Sequence, residues 1–337
     1  MRSSSWPFNL RFLPITLALC AAGGSAAAQA DHAVRMVAVA PDVRLEVLDW
    51  GGRGEPLVFL AGLGNTAHVF DTFAPRFTDR HRVIGITRRG FGASTRPAAG
   101  YAGRTLAADV RAVLDSLGLD RATLVAHSIA GGEASLLATT EPRRFRRVVY
   151  LDSIEFGCPE PPRPVEPEPG APPLPPSYFV ADPLREPLPP ADTATAEAAH
   201  AAWVRTLGWS MPVDELRAQR ASRASSTPPP VREVFRERER CIQGAPAHAL
   251  NVFAQITSVR WDAFDAADRP VAVDSVQERW MTQGLLRRVR ANHARFTQQF
   301  PGARTAFIPN AHHFVFLSHP DETFAAMRAF LAETGGR

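Results

Sequence analysis

The chain has 337 residues, 45% of them apolar and 21% charged, the balance of an ordinary globular protein. That length fits one large α/β domain with an insertion, or two ordinary domains, and excludes a small disulfide scaffold, a coiled coil and a wholly disordered chain. The net charge is +4 and all 38 basic residues are arginine, so a surface of mixed sign gives no electrostatic reason to expect a nucleic-acid partner.

Arg2 and Arg11 stand in a polar start, Phe12 to Cys20 is apolar, and small residues then run to Ala28-Gln29-Ala30. This is the three-part pattern of a secretory signal peptide with an Ala-x-Ala cleavage site after Ala30. The apolar run is shorter than a membrane span needs, and Pro14 interrupts it. The expectation is an exported protein, periplasmic or secreted, with no stable membrane span after cleavage. Two of the three cysteines, Cys158 and Cys241, lie beyond that site. An oxidising compartment permits a bridge between them, and closing so long a loop would stabilise the fold by roughly 4–5 kcal/mol in the chain-entropy account. Two free buried thiols are the alternative.

Arg44 to Asp49 alternates apolar and polar residues, and Gly51 to Gly54 then leads into Leu57-Val58-Phe59-Leu60. This reads as a hairpin entering a buried strand. Arg82 to Ile86 is a second buried strand. Thr105 to Leu117 carries apolar residues at helical spacing, with Thr105 as the N-cap. Thr123 to Ala126 is a third strand, ending at His127-Ser128 with a helix from Ile129 to Thr139 behind it, and Val148 to Leu151 is a fourth. Strand alternating with helix predicts a doubly wound, mostly parallel sheet.

The rhythm then breaks. Fourteen of the thirty prolines fall between Pro159 and Pro190, which forbids regular helix there. Ala191 to Arg240 reads as helical and arginine-rich. Leu250 to Ala254 resumes a strand, Val273 to Phe300 reads as a long amphipathic helix, Thr305 to Ile308 is a last strand, and a terminal helix starts near Pro320. The simplest organisation is a core of residues 31–153 and 248–337, with residues 154–247 inserted as a cap.

Ala126-His127-Ser128-Ile129-Ala130-Gly131-Gly132 puts a serine on a tight turn between a buried strand and a helix of small residues. Such a turn lifts the hydroxyl to the carboxyl end of the sheet. A helix N-cap serine without chemistry is the alternative. With three further segments, the chain resembles the α/β-hydrolase-fold serine hydrolases over about Val34 to Leu331. Ala61-Gly62-Leu63-Gly64 resembles the family's oxyanion-hole loop, with Ala61 in place of its usual histidine. Thr87-Arg88-Arg89-Gly90-Phe91-Gly92-Ala93-Ser94 resembles its Asp-x-Arg-Gly-x-Gly-x-Ser stretch, with Thr87 in place of Asp. Pro309 to Phe314 resembles the segment carrying the catalytic histidine, and Ala126 and Ala130 stand where the nucleophile turn usually has glycine.

The resemblance implies a fold with a cap insertion and a catalytic triad. Ser128 is the implied nucleophile and His313 the base, with His312 as its competitor. Asp152 is the acid, with Asp262 as the alternative. Backbone N–H groups of Leu63 and Ile129 would stabilise the oxyanion. Trp203, Trp209 and Phe314 are candidates for lining a substrate pocket, and His127 reads as structural because it faces away from Ser128 on an extended strand. A serine nucleophile sets the chain apart from the family's haloalkane dehalogenases and epoxide hydrolases, which place Asp there. The chain has no His-Glu-x-x-His, no Cys-x-x-Cys and no phosphate loop, so no cofactor and no metal are expected. The expected function is hydrolysis of a small-molecule carboxylic ester. An amide or peptide hydrolase of the same fold, or a non-catalytic small-molecule binding protein, are the alternatives.

Overall fold

A computed structural model of the protein describes residues 32–63, 65–153, 248–255, 290, 293–294, 296–298, 300–311 and 313–333. The expected leader, the expected cap with Cys158, Trp203, Trp209 and Cys241, and also Asp262 and His312, lie outside these residues. Of the long helix expected at Val273 to Phe300, residues 290, 293–294, 296–298 and 300 are described, and all but Phe300 are helical. Among the described residues no helix is long and apolar enough to cross a membrane.

Eight strands form one sheet: β1 Ala33–Ala40, β2 Val43–Gly51, β3 Pro56–Leu60, β4 Arg82–Ile86, β5 Thr123–His127, β6 Arg147–Leu151, β7 His248–Gln255 and β8 Arg304–Pro309. Their spatial order is β1-β2-β4-β3-β5-β6-β7-β8. β1 pairs antiparallel with β2 and β2 antiparallel with β4, and every other pairing is parallel. Helices α1 Gly103–Ser116, α2 Ala130–Thr140 and α3 Pro320–Leu331 connect or flank the strands.

The central strands read as unbroken apolar runs because both faces of the sheet are covered. Leu57, Phe59, Val125, Val149 and Leu151 join one buried cluster, with the aromatic rings of Phe70, Phe73, Phe77 and Phe316. Their alternates Val58, Leu60, Leu124, Val148 and Tyr150 join the other, under α1 and α2. The Tyr150 hydroxyl, deep in that second layer, has the Ser135 hydroxyl as its partner at 2.6 Å, and burial pushes its pKa up.

Two expectations are corrected. The hairpin joins β1 to β2 through Pro41 and Asp42, whereas β3 lies between β4 and β5 and never pairs with β2. The glycines before β3 serve another need. A Cβ on Gly52 would sit 1.9 Å from the His81 carbonyl oxygen, and one on Gly54 would sit 2.4 Å from that of Arg80. These glycines let two backbone segments touch, at positive φ, and a β-carbon would forbid it. The second correction is at α1, which starts two residues before Thr105 with Ala102 at its N-cap and no side-chain cap bond.

Candidate active site

In parallel strands all carboxyl ends point one way, and the loops leaving that edge converge. Ser128 follows β5 and has φ of 55°, the left-handed region that non-glycine residues occupy at a cost. Three bonds hold it there. Its N–H donates to the Leu151 carbonyl at 3.2 Å, and its carbonyl accepts from the Gly131 N–H at 3.1 Å and from the Ser153 hydroxyl at 2.6 Å. Ala126 and Ala130, two residues to either side, are fully buried, so the turn has room for nothing much larger. Ser128 itself is 7% exposed.

Asp152 follows the neighbouring strand, β6, and is also left-handed, with φ of 46°. Its N–H donates to the Val252 carbonyl at 2.8 Å, and its Oδ1 accepts from the Ala254 N–H at 3.0 Å. The other oxygen, Oδ2, lies 2.8 Å from His313 Nδ1. His313 reaches it from the loop after β8, which turns at left-handed Asn310.

These contacts fix the protons. A carboxylate only accepts, so His313 carries its proton on Nδ1, and Nε2 of the neutral ring keeps its lone pair. That Nε2 is buried and has no hydrogen-bond partner among the described residues. His127 Nε2 lies 3.1 Å from the His313 carbonyl oxygen, which also only accepts, so His127 donates. The two rings stand 4.7 Å apart. His127, fully buried, thus ties the histidine loop to the residue beside Ser128.

The sequence-derived candidates Ser128, His313 and Asp152 therefore come together at one sheet edge, with Asp152 on the imidazole. Leu63 and Ile129 also meet, their side chains packed with Phe91 and Tyr101. The loop before Leu63 runs against the serine turn, since a Cβ on Gly62 would lie 2.7 Å from His127 Nδ1 and 3.1 Å from Ser128 Cβ. Phe314 follows His313 in the same loop. It is fully buried, its ring packed against those of His127 and Phe316.

Sequence reasoning missed three supports. Ser153 binds the Ser128 carbonyl and carries no motif signal. Thr87, which stands where the family pattern has Asp, accepts from the Ala67 N–H at 3.0 Å and donates to Glu46 Oε2 at 2.7 Å. The carboxylate beside this loop is therefore supplied from β2, by a glutamate that is hidden in an alternating strand. Arg88 is paired with Glu133 and Arg89 with Asp109, all four buried. Their separation along the chain conceals both pairs.

The family model for the alpha/beta hydrolase fold matches residues 55–320. The chain belongs to this family. It is 38% identical over 109 residues to the non-heme chloroperoxidase of Streptomyces lividans, covering 32% of this chain and 40% of that protein. It is 34% identical over 115 residues to 3-oxoadipate enol-lactonase 2 of Acinetobacter baylyi, covering 34% of this chain and 43% of that protein. The chain thus spans about four-tenths of the length of the curated relatives it matches. The crystal structure of bromoperoxidase from Bacillus anthracis shares the fold, with a TM-score of 0.58 at 19% identity over 90% of this chain and 100% of that one.

Proposed function

We propose that this alpha/beta hydrolase is a serine hydrolase that cleaves carboxylic esters of small molecules through an acyl-enzyme. The observation that carries the reading is the His313–Asp152 bond of 2.8 Å, which leaves a buried Nε2 with no hydrogen-bond partner among the described residues, on the loop tied to the serine turn. In this reading Nε2 takes the Ser128 proton as Oγ attacks the ester carbonyl carbon. The N–H groups of Leu63 and Ile129 hold the developing oxyanion. His313 then protonates the departing alcohol, and water repeats the cycle on the acyl-serine. The lactonase named among the relatives acts on an ester-type bond by its name, which agrees with this class. The leader-like pattern of residues 1–30 supports export as part of the same reading.

A fluorophosphonate probe tests it. One label per chain is expected, on Ser128, absent in Ser128→Ala and slowed severely in His313→Ala. A folded, unlabelled protein overturns the reading and favours a binding protein. Turnover of nitrophenyl esters over matched anilides separates ester from amide hydrolysis.

The oxyanion loop gives a second expectation. In Gly62→Ala the new methyl must push the loop off His127 and Ser128, moving the Leu63 N–H from its place. Loss of one such donor lowers kcat by roughly 10²–10³-fold. Steady-state kinetics on a short-chain ester should show this with Tm changed far less, whereas wild-type kcat would mean that the loop has no part in the reaction.

A further inference from the structure

Away from the serine turn, three side chains converge on one point: His32, just before β1, and His68 and Asp71, in and after the 3-10 turn Ala67–Phe70 that follows the oxyanion loop. One nitrogen from each ring and a carboxylate oxygen of Asp71 all lie within 4.8 Å of one another. His68 Nδ1 is 2.9 Å from Asp71 Oδ2, and His32 Nδ1 is 3.3 Å from Asp71 Oδ1. Ligands around a tetrahedral zinc, bound at about 2.0–2.2 Å, sit roughly 3.3 Å from one another. The two histidine–carboxylate separations, 3.3 and 2.9 Å, are close to that value.

A second observation points to a ligand. The His32 side chain is only 5% exposed, yet its Nδ1 is buried and makes no hydrogen bond among the described residues. A buried ring nitrogen left so carries an uncompensated desolvation cost, which a cation between it and Asp71 removes. The surroundings are those of a metal ligand set as well. His68 Nε2 faces Glu46 Oε1 at 3.6 Å, and its Nδ1 donates to Asp71 Oδ2 at 2.9 Å, a proton that the cation displaces on binding. The Trp50 indole N–H donates to Asp71 Oδ1 at 3.1 Å and orients the carboxylate. A carboxylate behind the far nitrogen of a ligating histidine is the usual way such rings are aimed.

We infer that His32 Nδ1, His68 Nδ1 and the Asp71 carboxylate form a binding site for one divalent transition-metal ion of the zinc type. Two imidazoles and a carboxylate suit zinc, and water completes the tetrahedron. The ion clasps the start of the edge strand to the turn beyond the oxyanion loop, and no bond is made or broken. Sequence reading found no metal motif because two ligands, His68 and Asp71, are three residues apart whereas the third is thirty-six residues upstream.

The test uses the full chain, dialysed against chelator and titrated with ZnCl2 alone. One equivalent should bind, and at a hundredfold excess over Kd the melting temperature should rise by about 5 °C. His32→Gln and Asp71→Asn should each weaken binding at least tenfold and abolish that rise. Co2+ should give the intense visible absorption of a tetrahedral site in wild type and lose it in both variants. Binding that is absent in wild type, or equally strong in the His32→Gln/Asp71→Asn double variant, overturns the site. Where a variant fails to fold, the Co2+ spectrum of the wild type decides alone, and weak octahedral absorption is the overturning result.

Discussion

Asp152→Asn should lower kcat for ester hydrolysis by about 10⁴-fold, with the protein still folded. Asparagine has the size of aspartate and tolerates the left-handed backbone that residue 152 adopts, with φ of 46°. Its amide oxygen keeps the bond from the Ala254 N–H, made by Oδ1 in the native protein. That leaves the amide nitrogen facing His313 Nδ1, where two donors now oppose each other. The imidazole resolves the clash by moving its proton to Nε2 and turning its Nδ1 lone pair to the amide. The nitrogen meant to take the Ser128 proton is then itself protonated, and the cation that would form has lost its counter-charge. The barrier rises by about 5 kcal/mol. KM should change little, because Asp152 makes its contacts to the protein. Fluorophosphonate labelling of Ser128 should slow in parallel with turnover. Activity within tenfold of wild type would take the acid role from Asp152 and return it to Asp262, the alternative that the sequence offered.

The contrast between those two aspartates shows what the sequence could reveal. Ser128 was legible because everything that makes its turn is local: an apolar strand, a small-residue flank and a helix within ten residues. His313 was legible from its place behind the last strand. The acid was legible only as a choice between Asp152 and Asp262, since its identity depends on which strand end the histidine loop crosses, and that follows from the β5-β6-β7-β8 order. The same limit explains the misplaced hairpin. The glycines at 52 and 54 look like turn residues, but they answer to the backbone of Arg80 and His81, some thirty residues on. Glu46, supplying the carboxylate beside Thr87, falls on an alternating strand where a charged residue would ordinarily face solvent. Patterns with periods of 2 and 3.6 report burial along one element. They say nothing of which elements become neighbours.

The buried ion pairs are the clearest case of such neighbours, and they carry the second large expectation. Glu133→Ala should destabilise the fold by about 3–5 kcal/mol, read as a fall in the urea midpoint at constant m-value. Arg88 Nε and Nη2 both contact Glu133 Oε1, at 2.7 and 2.6 Å, with side-chain exposures of 5% and 8%. Burial pushes the Glu133 carboxyl up, and the Arg88 guanidinium pulls it back. The nearby Asp109 carboxyl is raised by burial in the same way and held by Arg89, through two parallel bonds of 2.6 Å. Removing the Glu133 carboxylate strands the Arg88 cation where water cannot follow, and a guanidinium cannot shed its charge. Removing both partners together, as Arg88→Met/Glu133→Leu, strands nothing and should cost clearly less than the single change. A double variant no more stable than Glu133→Ala would mean that packing, not charge, sets the loss. Glu133 lies in the first turn of α2, where the helix dipole also favours a carboxylate, and five residues past Ser128. The pair therefore pins the start of α2 to the loop leaving β4, and the same variant should lose turnover in the folded fraction as the serine turn loosens.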